Sequence, residues 1–281
     1  MIDQRSKIDE KKWDYLIVLD ACRYDHFEKY YERYIEGKLR KARSPVECKD
    51  GVATSEWCKA VFTERYDDVI YVSTTPHVNS FSEVNGFRAK DHFWKVIDVW
   101  DSGWNDEMGT VLPEKVNEVV LETKKDFPDK RIIAHYMQPH FPYLSLDNPF
   151  NPKSKDPGAH DNLKRNLRNF FGSKVRRVLG GNLTRKIIRL LNLPPINPME
   201  ETLRREGKSG LIKAYDENLK IVLESLNKLS GEIKNEGKMC ITADHGEYLG
   251  EDGFYGHSYL PQHPVLNEVP WLEMDLERDE Q

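Results

Sequence analysis

The chain reads MCITADHGEYLGEDGFYGH over residues 239–257. An apolar run of strand character ends there in Asp244, His245 and Gly246, which sets a carboxylate beside an imidazole where the backbone must turn. Two other apolar runs end in the same kind of group: Leu16–Leu19 leads into Asp20, and Arg131–Ala134 into His135. In an α/β sheet, ligands collect outside the carboxyl ends of the strands, because loops diverge there. Carboxylates and imidazoles converging on such a crevice are most simply held by a divalent cation. Asp and His ligands suit zinc, manganese or magnesium about equally.

The elements that must position these groups alternate along the chain. Strands are predicted at Tyr15–Leu19, Val69–Ser73, Lys95–Trp100, Arg131–Tyr136 and Met239–Ala243. Helical patterns follow over Tyr24–Tyr34, Pro113–Lys125, which opens with proline in a first-turn position, and Leu211–Leu229. This alternation predicts one α/β domain over 1–281, a mainly parallel sheet covered on both faces by helices in an αβα arrangement. Residues 145–209 break the rhythm. Between Lys153 and Arg189 stand eleven basic side chains against Asp156 and Asp161, mixed with Val, Leu and Ile at partly helical spacing. The segment is expected to be an inserted basic helical subdomain.

Composition narrows the function classes. A hydrophobic fraction of 38% and a charged fraction of 32%, with no apolar run of bilayer length, exclude an integral membrane reading of this stretch. The net charge of −5 offers no general attraction to nucleic acid, and the basic stretch holds few stacking rings beyond Phe170 and Phe171. Cys22, Cys48, Cys58 and Cys240 lack metal-knot spacing and are expected to be reduced thiols. The first twenty residues show no secretory signal, so a cytoplasmic protein is expected, with peripheral contact at the inner membrane face through 153–190.

The stretches VLDACRYD, GVATSEW, HYMQPHFPY and ITADHGEYLGEDGFYGH, in this order, resemble the alkaline phosphatase superfamily in its sulfatase-like branch. The resemblance spans most of the chain. It implies a mixed, mostly parallel sheet between helical layers and a metal-dependent hydrolase or transferase of phosphate or sulfate esters. Carried over residue by residue, it implies Asp20, Asp244, His245 and Thr54 around the cation, with Thr54 as nucleophile. His140 and His257 match positions that contact the transferred group or a second metal. Ser55 is adjacent and could take the role of Thr54, which by its residues alone also reads as a helix N-cap. His77 could line the pocket or pack, and Arg23 could bind a phosphate oxygen or pair with Asp25.

Three departures shape the expectation. SPVECKDGVATSEW lacks the C/S-x-P-x-R context of formylglycine sulfatases, which favours phosphate over sulfate. Ala21 stands where sulfatases carry a second Asp, and Gln138 where an acidic residue is common. One tightly held ion is therefore expected, with a poorer second site using His140, His257 and Gln138. The substrate class is an anionic ester, such as a lipid-linked or cell-envelope glycan. The alternative is a catalytically silent relative that binds an anionic glycan, lipid or protein through the basic insertion.

Overall fold

The computed structural model describes residues 1–47, 53–146, 198–234, 237–257 and 262–276. Eight strands form its main sheet: β1 (Ile2–Asp3), β2 (Tyr15–Leu19), β3 (Lys38–Arg43), β4 (Tyr66–Ser73), β5 (Phe93–Asp98), β6 (Arg131–Tyr136), β7 (Lys238–Ala243) and β8 (Glu268–Asp275). Their order is β1-β3-β8-β7-β2-β6-β4-β5. Only β8 runs against the others; it is antiparallel to β3 and β7, whereas every other pairing is parallel. The sheet is thus mixed and mostly parallel. β2 is buried at every position, as a central parallel strand covered on both faces must be.

Consecutive strand residues point to opposite faces, so neighbours in β6 identify the two helical layers. Tyr136 donates through its hydroxyl to Asn117 Oδ1, 2.7 Å away in helix Pro113–Asp126. His135 instead meets the ring of Trp57, with centroids 6.5 Å apart, in helix Ala53–Val61. The first layer also holds Tyr24–Tyr30 and the long helical stretch Pro198–Glu232, which breaks at Gly207 where φ is 71°. The second layer is completed by Gln4–Asp9.

Gln4 ties this second layer to the strand that leads into the DHG motif. Fully buried, it donates from Nε2 to Thr242 Oγ1 and to the Ala243 carbonyl, both at 2.7 Å, and accepts from Trp57 Nε1 at 2.9 Å. The helix that carries Thr54 is thereby fixed against the end of β7. Gln4→Leu strands the Trp57 N–H without an acceptor, and an unmet buried group costs about 1–3 kcal/mol. The expected result is a loss of about 2–4 kcal/mol in urea unfolding, with slope unchanged; a loss below ~0.5 kcal/mol would show that the network is slack.

The expected strands and helices occur, and the sheet is the one the alternation predicted. Three strands of the main sheet were not anticipated: the two-residue β1, β3 and β8. The run KLRKAR of β3 reads as a charged surface stretch, but its cations pair across the register with β8: Lys41 with Glu268 at 2.8 Å, and Arg40 with Glu273. Pro270 argues against a central strand at β8. It is accommodated because the pairing with β7 begins one residue later, at Trp271. The basic stretch Lys153–Arg189, its expected membrane contact and Cys48 lie outside the described residues. Cys22, Cys58 and Cys240 are buried free thiols. Among the described residues, no helix is long and apolar enough to cross a membrane.

Candidate active site

Parallel pairing places Leu19 opposite both Tyr136 and Ala243, so Asp20 and Asp244 leave adjacent strands side by side. Both are buried, at 6% and 0% exposure. The loop after β7 stays close to the turn Pro264–Asn267 that leads into β8 because Gly246 allows it: a Cβ there would fall 1.9 Å from the Val265 carbonyl oxygen. The loop after β2 turns at Ala21, whose φ of 58° aims its N–H at Asp244 Oδ1, 3.1 Å away. Where sulfatases carry a second Asp after the first, the Ala21 backbone therefore supports the carboxylate of Asp244.

Thr54 lies in the first turn of its helix and donates from Oγ1 to Asp244 Oδ2 at 2.8 Å, rather than capping its own helix. Ser55 faces elsewhere. Its hydroxyl accepts from Asn85 Nδ2 at 3.3 Å, and it is fully buried. Between the adjacent hydroxyls, Thr54 is the one that reaches the carboxylates.

Around this pair stand two imidazoles. His245 donates Nδ1–H to the Gly246 carbonyl at 2.8 Å, so its Nε2 lone pair faces Asp244 Oδ2 at 3.4 Å and Asp20 Oδ1 at 3.7 Å. His135 bonds through Nδ1 to the Tyr71 hydroxyl at 2.7 Å; its buried Nε2 has no hydrogen-bond partner among the described residues and lies 3.9 Å from Asp244 and 4.0 Å from Asp20. Burial lowers the pKa of both rings, that of His135 to about 4, so neither is charged at neutral pH. Burial, reinforced by the charges of Asp244 and Glu247, raises the Asp20 carboxyl well above its usual range. Burial opposes ionisation of Asp244 too, but His245, His135 and the bonds from Thr54 and Ala21 outweigh it and hold that carboxyl low.

Lone pairs turned on buried carboxylates repel unless a cation lies between them. Ligand atoms of Asp20, His135 and Asp244 all lie within 4.8 Å of one another, and those of His140, Glu247 and His257 form a second such group. In the second, His257 Nδ1 is 3.0 Å from Glu247 Oε1, and His140 gives Nδ1 to the Phe141 carbonyl at 2.8 Å. Removal from solvent brings the His140 pKa down to about 4. The ring of His257 lies 4.3 Å from His245 and 5.5 Å from His140, which joins the groups into one site. Both donor sets fit a divalent cation.

Gln138 is not part of the second group. It is buried and donates from Nε2 to the Val111 carbonyl at 3.2 Å, and the carboxylate beside the two histidines is Glu247. Glu247 was legible as the last letter of DHGE but was not singled out. His135 stood at a marked strand end and joins the Asp20 and Asp244 group. Arg23 pairs with Asp25, through Nε at 3.0 Å and Nη2 at 2.7 Å, and reaches Glu251 at 2.7 Å.

Asp20, Thr54, His140 and His257 line a cavity of about 450 Å³ together with Thr75 and His77. His77 thus faces the cavity and does not pack in the core.

No protein-family model and no curated protein sequence matches the chain. Solved structures do match. The C-terminal periplasmic domain of phosphoethanolamine transferase EptC from Campylobacter jejuni aligns with 95% of this chain and 79% of its own, at 14% identity and a TM-score of 0.51. The soluble domain of lipooligosaccharide phosphoethanolamine transferase A from Neisseria meningitidis aligns with 93% of this chain and 75% of its own, at 14% identity and a TM-score of 0.53. The corresponding periplasmic domain of EcEptC from Escherichia coli, solved as a complex with zinc, aligns with 93% and 72%, at 11% identity and a TM-score of 0.51. The fold is therefore alkaline-phosphatase-like, a mixed, mostly parallel sheet flanked by helices, as the sequence motifs led one to expect. At these identities the likeness is one of fold.

Proposed function

We propose that the chain is a metal-dependent phosphoesterase or phosphotransferase that works through a covalent threonine intermediate. One observation carries the reading: Thr54 Oγ1, at the cavity, lies 2.8 Å from Asp244 Oδ2, in the company of Asp20 and His245. Asp20, Asp244, His245 and Thr54 would hold one cation, and His140, Glu247 and His257 a second. A cation bound there lowers the pKa of a ligated hydroxyl and offsets charge on phosphoryl oxygens.

The remaining work falls to the side chains. Because the Thr54 proton points to Asp244, the oxygen keeps its lone pairs for the ester. The bond from Thr54 Oγ to phosphorus forms as the hydroxyl proton passes toward Asp244 and the bond to the leaving oxygen breaks; that oxygen departs with the electron pair and takes a proton from solvent. His140 and His257 orient the ester from the cavity wall. Water or an acceptor alcohol then attacks phosphorus and frees Thr54. The identity of that acceptor separates hydrolase from transferase.

Phosphate is favoured over sulfate by the missing formylglycine context around Thr54 and by the phosphoethanolamine transferases among the fold neighbours. The basic run Lys153–Arg189 suits docking on an anionic, lipid-linked or envelope substrate. The test is a panel of 4-nitrophenyl phosphate monoesters and diesters, phosphonates and sulfate with added manganese, zinc or magnesium. Phosphoryl or phosphonyl turnover is expected, falling to background after chelation and returning with metal. If no metal supports turnover of any ester, the fold is serving a binding protein instead.

A further inference from the structure

One wall of the cavity above Thr54 is aromatic, formed by Trp100 and Trp104. Trp104 is 42% exposed; with Phe81, at 65%, it accounts for two of the four exposed large apolar side chains among the described residues. The Phe81 ring lies 6.0 Å from Trp100. Apolar surface concentrated at the mouth of a pocket marks a place where a ligand is met.

The rings are held in place. Asp98 accepts from Trp100 Nε1 at 3.2 Å and, from the other side, from the Ser80 N–H at 3.1 Å and its hydroxyl at 2.6 Å. Asn79 Oδ1 accepts the N–H groups of Phe81 and Ser82 at 3.1 and 2.7 Å. Trp104 pairs with Val111 in a short antiparallel ribbon.

The charge of this rim has the same sign as that of the proposed substrate. Asp98 holds Trp100, Asp101 follows it, and residues 98–109, DVWDSGWNDEMG, contain no Lys or Arg. Such a rim repels a phosphate ester within a screening length of about 10 Å. The conflict disappears if the far end of the ester is a cation. Aromatic faces backed by carboxylates recognise quaternary ammonium, whose weakly hydrated methyl groups need no hydrogen-bond acceptor; a primary ammonium is more strongly hydrated.

We propose that the Trp100 and Trp104 wall is a subsite for a quaternary ammonium group, so that the preferred esters are zwitterions of the phosphocholine class. This deepens the phosphoester reading and rests on it for the catalytic half of the cavity. A volume of about 450 Å³ accommodates phosphate and a choline-sized arm together.

The first test needs no turnover. Choline and its neutral isostere 3,3-dimethylbutan-1-ol are titrated into the metal-loaded protein by calorimetry. Choline is expected to bind roughly 5- to 30-fold more tightly, and Trp104→Leu to erase the difference while circular dichroism stays unchanged. Equal binding of the two probes, or a choline affinity indifferent to Trp104→Leu, overturns the proposal. The second test compares 4-nitrophenyl phosphocholine with 4-nitrophenyl 3,3-dimethylbutyl phosphate. In each, Thr54 bonds to phosphorus, nitrophenolate leaves with the electron pair, and water releases the phosphoryl arm. A kcat/KM ratio of roughly 10 in favour of the choline ester, falling to about 1 in Trp104→Leu, is expected. Turnover of both esters at equal rates sinks the subsite and leaves the phosphoester reading standing. Selective choline binding without turnover of either does the reverse.

Discussion

Thr54→Ala is expected to lower ester turnover by roughly 10³-fold or more, because it removes the atom that bonds to phosphorus and leaves only positioning and charge stabilisation. Its fold should survive. The variant loses one hydrogen bond to Asp244, worth about 1–2 kcal/mol, and creates a void no larger than a hydroxyl and a methyl group. Thr54→Ser, which keeps the hydroxyl, is expected to retain a measurable fraction of the rate and to form a trappable phosphoserine. Ser55→Ala supplies the contrast: its hydroxyl bonds to Asn85 away from the carboxylates, so stability should fall slightly and turnover by less than about threefold. A Thr54→Ala variant as active as the wild type would end the covalent mechanism. Loss of activity in Ser55→Ala alone would transfer the role to its neighbour.

The second large effect concerns the carboxylates and separates metal binding from stability. Purified wild type is expected to hold about one tightly bound ion per chain by elemental analysis, and the Asp20→Asn, Asp244→Asn double variant none at this group. The single change Asp20→Asn should act with opposite sign in the two states. With metal, it removes a ligand and weakens binding by roughly 10²-fold. Without metal, the Asp20 carboxyl is raised by burial and by the neighbouring charges of Asp244 and Glu247. A carboxyl whose folded pKa is raised contributes stability that is present below its unfolded pKa, near 4, and is lost as pH rises through the folded value. Relative to metal-free wild type, Asp20→Asn is therefore expected to gain stability as pH rises from about 4 toward 8. A metal-free variant that is less stable than wild type across this range would show that Asp20 is not under the electrostatic strain inferred here.

Much of the site was legible because its signals are local. The run Tyr15–Leu19 is a strand in both readings, since five consecutive apolar positions suit a strand covered on both faces. Asp20, Asp244 and His245 were visible as polar groups at strand ends, and Gly246 as the turn that follows them. The three unanticipated strands failed on equally local grounds, β1 because it spans only two residues. β3 hides its pairing behind charges that are matched only by Glu268 and Glu273, and β8 carries a proline tolerated because its pairing with β7 begins one residue later.

By itself the sequence determined where strands stop and which polar groups stand at their ends, because strand, turn and cap preferences are settled among residues a few positions apart. Only the tertiary structure decided which of these groups meet. Sheet order brings Asp20 beside Asp244, 224 positions along, and aims Thr54 rather than Ser55 at them. It places Glu247, and not Gln138, with His140 and His257, and brings Trp100 and Trp104 to the cavity that Thr54 lines. Those choices depend on long-range strand pairing and on the face a side chain takes, and neither is written in the spacing of neighbouring residues.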